Sequence, residues 1–365
     1  MKTYKKHHSR RDFIRTTLGA GIAVSTYPLA FCNQNEPAGD KDYFVSIVKI
    51  KDQNISYAVE EAIDLLGGIN TVTTGKDRIM LKPNLVAESP TFTTNPDVIK
   101  ALATLMKNAG KEVCIGEGSA AAGGFNVTDE GLFRTKKQDI LDGMQEYVFN
   151  QLGYTDLAQS ANIPLVNLHS GEMTDVQVPN GYLFDKITVH HSVADTDLLC
   201  SVPMMKTHVL ATVTLSMKNL IGVYPGTVYY SVRSWLHDHA AASGSPGVAY
   251  EIVDMQKAVK SGLVVIDAST AMEGDGPTDG TLVHMGLIIA GTNPLAADMV
   301  ATRLMGINLN SVPAINLAQQ AGLGPRSMNE IEIRGEKIED VRRSFRRPNI
   351  VQWSEISPVW GNQEI

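Results

Sequence analysis

The sequence predicts an α/β fold in which a mostly parallel sheet is flanked by helices within a single large domain. Two observations lead to this prediction. Short, almost continuously apolar segments alternate with segments whose apolar residues recur at helical spacing, as expected for strands buried on both faces. The length of 365 residues, 43% of them hydrophobic, is enough for one large core.

The first half of the chain shows the alternation most clearly. One helix has Asn95 as its predicted cap and Pro96 at its first position, and Gly110 ends it. The order strand, helix, strand predicts parallel pairing through right-handed crossovers. The strands predicted here are "YFVSIVKI", "RIMLKPNLV" and "KEVCIGEGS".

The second half continues the pattern and sets the domain limits. Residues 1–32 are predicted to be a signal segment, 33–42 a linker, 43–340 the α/β domain and 341–365 a C-terminal tail. The predicted elements are a helix near 137–152, the strand "IPLVNL", a β-like passage at 172–191, the strand "TDLLCSVP", a helix in or just after 205–220, the helix "AYEIVDMQKAVK", the strands "LVVIDAS" and "MGLIIAG", the helix "PLAADMVATRLMG", a helix near 312–321 and the strand "IEIRG".

The first 32 residues have the order of an export signal, with a basic leader, a weakly apolar segment and a polar end. Arg10, Arg11 and Phe13 within "SRRDFIR" resemble the bacterial twin-arginine motif, which predicts the twin-arginine export machinery as a partner and the periplasm or cell envelope as the destination. Cys32 ends "LAFC", which is similar to a lipoprotein cleavage box except at Phe31, so lipid attachment at Cys32 and its absence both stay open. No later segment is apolar for long enough to predict a transmembrane span.

Charge and cysteine content exclude some classes of function. Beyond residue 32 the chain has 26 basic and 38 acidic residues, a net charge of −12, which argues against nucleic acid as a partner. Cys114 and Cys200 lie in apolar segments and are predicted to be buried thiols. Too few thiols at unsuitable spacing remain for an iron–sulfur cluster.

Polar residues follow several predicted strands, where ligands bind in open parallel sheets. Lys82 and Asn84 lie two residues apart at the end of one predicted strand. Either they bind an anion, or they are polar residues solvated by water. A glycine-rich loop follows the next strand, and its main-chain N–H groups are candidates for binding a phosphate or carboxylate, although it matches no established phosphate motif. The candidate residues of this loop are Gly116, Glu117, Gly118 and Ser119.

The segment "MKTHVLATVTLSMKNL" places basic and amide side chains in an apolar context. Lys206 and His208 share one side if the chain is extended, and a helical "TLSMKNL" would place Thr214 and Lys218 one turn apart. Because an ammonium group without a counter-charge is expensive to bury, Lys206, Lys218 and the neighbouring Asn219 are predicted to contact an anionic ligand.

Two further segments are weaker candidates for a divalent metal. His237 and His239 could supply two imidazoles, although an exposed polar loop is the preferred explanation for them. Glu273 and Asp275 lie in the acidic, glycine-rich "AMEGDGPTDG", whose oxygen atoms suit Mg²⁺ or Ca²⁺ without the spacing of an EF-hand.

Taken in order, "KPNLV", the segment 206–222 and "AMEGDGPTDG" with "IIAGTNPLAADMVATRLMG" resemble the family of domain of unknown function 362 over roughly residues 45–335. The resemblance implies the fold and the positions of a site but no reaction. Some members of that family carry an added ferredoxin-type domain, and no cysteine spacing in this sequence predicts one.

The sequence therefore predicts an exported protein whose strand-end cleft binds an anionic small molecule or cofactor. One hypothesis is an enzyme, with or without a metal, in which His208 or Glu117 moves a proton. The alternative is a non-catalytic ligand-binding or assembly protein at the outer face of the membrane.

Overall fold

The computed structural model describes residues 42–259, 261–352, 355 and 360–364. The predictions made for Arg10, Arg11, Phe13 and Cys32 lie outside these residues. The strands are β1 (Tyr43–Lys49), β2 (Arg78–Pro83), β3 (Glu112–Glu117), β4 (Val127–Thr128), β5 (Gly131–Arg134), β6 (Leu165–Asn167), β7 (Met173–Gln177), β8 (Lys186–His190), β9 (Leu198–Val202), β10 (Met204–His208), β11 (Thr212–Thr214), β12 (Ser261–Asp275), β13 (Asp279–Gly291), β14 (Ile331–Gly335) and β15 (Trp360–Glu364).

The α-helices are mostly short, and several 3₁₀ turns accompany them. The α-helices are α1 (Ile55–Asp64), α2 (Ile69–Val72), α3 (Pro96–Asn108), α4 (Gln138–Gln151), α5 (Tyr154–Ala161), α6 (His191–Asp195), α7 (Ser216–Asn219), α8 (Gly226–Tyr229), α9 (Ser234–Ser243), α10 (Ala249–Ala258), α11 (Pro294–Leu304), α12 (Pro313–Gln320) and α13 (Ile338–Val341). The 3₁₀ turns are Pro90–Phe92, Leu220–Val223, Ser231–Arg233, Leu309–Ser311 and Met328–Glu330.

A ten-stranded sheet forms the centre of the described chain, with the order β14-β1-β13-β12-β9-β2-β3-β6. Strand β10 pairs with the far half of β12, and β11 pairs with β10. Most neighbours are parallel, and the antiparallel contacts are β1–β13, β12–β13 and β10–β11. The predicted α/β class with a mostly parallel sheet is thus confirmed. The predicted pairing of β2 with β3 is present, whereas β1 and β2 are separated by β13, β12 and β9.

Both faces of the sheet are buried, which explains the continuous apolar strands. Along β12, Val264 and Ile266 pack into one core with α11 and α12, while Leu263 and Val265 pack into the other with α1 and α3. Successive side chains of a strand point to opposite faces of the sheet. In a strand between two helical layers neither face meets solvent, so apolar residues occupy both.

Local signals set the helix limits where the sequence carries them. Helix α3 begins after Asn95, whose Oδ1 accepts the Asp97 N–H at 2.9 Å, and Pro96 occupies its first turn. Gly110 follows with φ +74°, a conformation that favours glycine and stops the helix. The predicted cap, first residue and stop of this helix all agree with the structure.

Candidate functional site

A cavity of about 390 Å³ lies at the carboxyl ends of β2 and β3. Its wall is mainly apolar and includes Leu85, Val86, Phe92, Val127, Leu132, Val209, Leu210, Ile221 and Val232. The polar side chains that line it are Lys82, Asn84, Glu88, Glu117, His208, Lys218, Asn219, Arg233, His237 and Thr278. The structure therefore brings together seven side chains that the sequence singled out: Lys82, Asn84, Glu117, His208, Lys218, Asn219 and His237.

The innermost polar contact is a buried ion pair between Lys82 and Glu117. Lys82 Nζ lies 2.6 Å from Glu117 Oε1, and the two side chains are 1% and 2% exposed. Lys82 also donates to the Asn219 Oδ1 at 3.3 Å. Glu117 accepts the N–H groups of Leu85 and Gly118, both at 2.8 Å. Because both carboxylate oxygens are occupied, the geometry makes Glu117 a fixed counter-charge for Lys82.

Arg233 lies beside this pair and was missed in the sequence. Its guanidinium donates to four main-chain carbonyl oxygens, those of Tyr224, Ser119, Gly118 and Gly222. The side chain is 2% exposed, and burial lowers its pKa to about 10 while Glu117 opposes this change. Arg233 therefore holds together the chain segments on two sides of the cavity.

The backbone around Arg233 is strained. Tyr230, Val232 and Arg233 have φ values of +63°, +58° and +57°. Each such conformation costs on the order of 1–3 kcal/mol in a residue other than glycine, and a β-branched residue is the least suited to it. Tertiary bonds hold the segment, including the Val232 N–H to the Ala120 oxygen at 3.0 Å. Strain of this kind clusters at ligand sites.

Lys218 lies on helix α7, which a buried carboxylate anchors. Asp298 Oδ1 accepts the N–H and the hydroxyl of Ser216 at 2.8 and 2.6 Å, and Oδ2 accepts the Met217 N–H at 3.0 Å. These bonds cap a helix too short to be stable alone. In the described chain no acceptor bonds the ammonium of Lys218, and burial together with Lys82 and Arg233 lowers its pKa to about 8.

Asp298 gives a prediction about pH. Burial raises its pKa to about 7, against the opposing effect of its hydrogen bonds. Stability due to its protonated form is complete below the ordinary pKa of 3.8 and is lost as the pH rises towards 7. Asp298→Asn removes this titration, so between pH 4.5 and 7.5 the wild type should lose stability relative to the variant, by at most about 1.4 kcal/mol per pH unit. Urea unfolding at both pH values measures the change.

The exposed Asp129 provides the matched control for this experiment. Asp129→Asn should follow the wild-type pH dependence. Parallel stability curves for the wild type and Asp298→Asn would contradict the prediction.

The two histidines in the wall are neutral at pH 7. His208 Nδ1 accepts the Leu210 N–H at 3.0 Å, so the ring proton is on Nε2. Burial, then Lys218 and Lys206, hold the pKa of His208 well below its usual value. Burial lowers the pKa of His237 to about 3, with Lys218 and Arg233 contributing. His208 is therefore a hydrogen-bond donor from Nε2.

Lys206 lies behind the cavity rim and does not line it. Its ammonium donates to the carbonyl oxygens of Phe92 at 2.6 Å and Pro277 at 3.5 Å, and both residues line the cavity. Burial and Lys218 hold the pKa of Lys206 well below its usual value. Thr214 is part of β11 opposite Lys206, so the predicted helix begins later, at Ser216.

The glycine-rich loop uses its N–H groups within the protein. The Gly118 N–H donates to Glu117, and the Ser119 N–H donates to Gln145 Oε1 at 2.7 Å. A Cβ at Gly118 would lie 2.6 Å from Arg233 Nη2, which explains why glycine is needed there. Gly116 lies in β3 against Met80, and neither Gly116 nor Ser119 lines the cavity.

The structure separates the residues proposed for a metal. Glu273 and Asp275 end β12 of a long hairpin and accept the N–H groups of Arg346 and Asn349 at 2.9 and 2.8 Å. His239 stacks on Trp235 with ring centroids 4.9 Å apart and does not line the cavity. Across the described residues, no group of three His, Cys, Asp or Glu side chains is placed to hold a metal ion. Cys114 and Cys200 are free thiols.

The fold and the site define an α/β protein with a cationic, largely apolar cavity at its strand ends. The family described as Domain of unknown function (DUF362) matches residues 79–303, more than half of the chain, and the chain belongs to this family. The resemblance seen in its motifs is thereby confirmed.

Two other proteins are similar to this chain. The thylakoid-associated protein sll1697 of Synechocystis sp. (strain ATCC 27184 / PCC 6803 / Kazusa) is 26% identical over 266 residues, which are 72% of this chain and 74% of that protein. The lactate racemase apoprotein from Thermoanaerobacterium thermosaccharolyticum is 12% identical, with a TM-score of 0.43, over 75% of this chain and 59% of that chain. The match thus spans less than two thirds of the racemase, and a likeness of this size has no bearing on function.

Proposed function

We propose that the protein binds a small organic anion with an apolar body in the strand-end cavity, and that Lys218 supplies the main positive charge. The observation that carries this proposal is the charge balance. Lys82 is neutralised by Glu117, and Arg233 is bonded by carbonyl oxygens, while Lys218 has no acceptor among the described residues. A cavity of this size is near the lower end of the range of roughly 300–1,000 Å³ for small-molecule sites.

The other residues divide the remaining tasks. Asn84 provides an amide group at the cavity wall, and its buried Oδ1 has no partner among the residues that the structure describes. Asn219 donates from Nδ2 to the Lys82 carbonyl oxygen and to Ser201 Oγ, so it helps Lys82 and Glu117 to fix the floor. In the enzyme hypothesis, the neutral His208 donates a hydrogen bond from Nε2 to the bound ligand and so stabilises negative charge that develops there. Glu117 supports this by keeping Lys82 charged, and no metal is needed.

The proposal places the protein outside the cytoplasm, exported by the twin-arginine machinery to the periplasm or cell envelope. Its support is the "SRRDFIR" motif at Arg10 and Arg11, together with a relative described as thylakoid-associated. Of the helices in the described residues, none has the length and apolar character to cross a membrane. A lipid anchor at Cys32 would retain the exported protein at the cell envelope.

Isothermal titration with 3-phenylpropionate tests the binding proposal, because this probe combines a carboxylate with an apolar ring. The wild type should bind it, and Lys218→Met should weaken binding about 10- to 100-fold, as expected for the loss of a charged hydrogen bond of about 1.5–3 kcal/mol. Affinity should also fall as the pH rises through about 8, where Lys218 loses its proton.

The exposed Lys76 gives the matched control, since Lys76→Met removes the same charge elsewhere on the protein. This variant should bind like the wild type. Equal affinities of wild type and Lys218→Met, or no binding of the probe to the wild type, would overturn the proposal. Binding of a substrate-like anion without turnover would favour the non-catalytic alternative.

A further inference from the structure

The environment of Lys218 suits a nucleophile as well as an anion-binding group. Its amine faces a largely apolar cavity, and within the described chain no carboxylate pairs with it. The acidic side chain of the floor, Glu117, is already bonded to Lys82, Leu85 and Gly118. A lysine in an apolar pocket beside other cations is the arrangement that activates an amine for covalent chemistry.

We propose that Lys218 forms an imine with the carbonyl carbon of an oxo acid bound in this cavity. The neutral amine attacks the carbonyl carbon and forms a C–N bond. One N–H proton moves to the oxygen, which gives a carbinolamine. The nitrogen lone pair then forms the C=N bond as the C–O bond breaks, and the oxygen takes the second N–H proton and leaves as water. No oxidant, reductant or metal is required. This inference rests on the proposed function, because the same cavity must first bind the anion.

The neighbouring groups supply what each step needs. With a pKa of about 8 in place of 10.5, about one Lys218 in ten is a free amine at pH 7, roughly 300 times more than for an ordinary lysine. His208 has its proton on Nε2 and lines the same cavity, so it can donate a hydrogen bond to the departing oxygen. Asp298 holds α7 and thereby the direction of Lys218.

The cavity wall narrows the chemical class of the oxo acid. Phe92, Val209, Leu210 and Ile221 give an apolar lining. Arg233 adds a positive charge at the floor near the carboxylate, whereas Glu117 neutralises Lys82. A small oxo acid with an aromatic or branched aliphatic substituent fits this combination, because the substituent is buried while the carboxylate remains near the cations.

Reductive trapping with phenylpyruvate and sodium cyanoborohydride tests the proposal on the full-length protein. Phenylpyruvate has the skeleton of 3-phenylpropionate with an added keto group, so it separates imine formation from anion binding. Intact mass and peptide mapping should show one reduced adduct on Lys218. The labelling rate should rise at least threefold between pH 6.5 and 8.5, as the free amine increases.

Lys218→Arg is the decisive variant, because arginine keeps the charge but forms no imine under these conditions. It should lose the adduct and still bind 3-phenylpropionate more tightly than Lys218→Met does, because the guanidinium keeps the positive charge. Lys76→Arg should be labelled like the wild type at Lys218. If Lys218→Arg unfolds, competition on the wild type replaces it: 3-phenylpropionate should suppress labelling at Lys218.

Several outcomes would overturn the inference. If the wild type binds both probes and no adduct forms on Lys218, the imine is excluded while the proposed anion binding stands. The same holds if the adduct is spread over exposed lysines and persists in Lys218→Arg. If the wild type binds neither probe, both the inference and the proposed function fail.

Discussion

Glu117→Gln is expected to destabilise the protein by about 3–5 kcal/mol, the range for breaking one partner of a buried ion pair. The substitution leaves the ammonium of Lys82 buried without a counter-charge, with only neutral oxygens, those of Pro83, Asn219 and the new amide, as acceptors. It also replaces an acceptor of the Leu85 N–H, which the carboxylate now bonds at 2.8 Å. Urea unfolding of the wild type and the variant at pH 7 measures the difference.

The chain provides a matched control in the pair of Lys49 and Glu336. Lys49 Nζ and Glu336 Oε2 are 2.9 Å apart, which is a close ion-pair distance, but the two side chains are 47% and 29% exposed. Glu336→Gln should therefore lose less than about 1 kcal/mol. If Glu117→Gln loses no more free energy of unfolding than Glu336→Gln does, the buried pair of Lys82 and Glu117 does not stabilise the cavity floor. Lys82→Met combined with Glu117→Gln should recover part of the loss, because the unpaired charge is gone.

The positions of the strand-end residues could be predicted because a parallel sheet imposes them. Lys82 and Glu117 end neighbouring parallel strands, so any sequence that places polar residues there brings them together. His208 follows from the period of two along β10. What the residues do there depends on partners distant in sequence. Glu117 was a candidate for proton transfer until the structure gave both of its oxygens partners.

The acidic segment shows why composition alone misled the metal hypothesis. Glycine and aspartate suit a metal loop and a tight turn equally. In the structure the segment is the turn between β12 and β13, in which Asp275 pairs with Asp279. Apolar and β-branched residues on both sides of it were a signal for a hairpin. The same hairpin places β13 beside β1 and so separates β1 from β2. No local sequence pattern predicts the pairing of β1 with β13, because the two strands are far apart in the chain.

Arg233 could not be found from the sequence for a different reason. It lies in a short segment between helices with no apolar period. Its role depends on a positive φ and on carbonyl oxygens as far away as Gly118. Sequence patterns show side-chain types and their spacing. Neither of these reveals that a guanidinium will donate to main-chain carbonyl oxygens.

Arg233→Met is expected to lose about 4 kcal/mol or more of stability, and to weaken 3-phenylpropionate binding at least tenfold. Four carbonyl oxygens would lose their donor, and hydrogen bonds from a charged group contribute about 1.5–3 kcal/mol each before non-additivity is considered. Two of these oxygens belong to Gly118 and Gly222, which line the cavity, so its shape should change as well. Urea unfolding and titration calorimetry measure the two effects.

Arg334 is the control, because its guanidinium also bonds a main-chain oxygen, that of Leu65 at 2.7 Å, but it does not line the cavity. Arg334→Met should leave probe binding unchanged, and an equally small effect of Arg233→Met would contradict the bracing role.

Arg233→Lys then separates the effect of the charge from the effect of the side-chain geometry. Lysine keeps the positive charge but cannot present the planar set of donors that reaches four carbonyl oxygens. If bracing is the role of Arg233, the lysine variant should resemble Arg233→Met in both measurements; if only the charge matters, it should resemble the wild type.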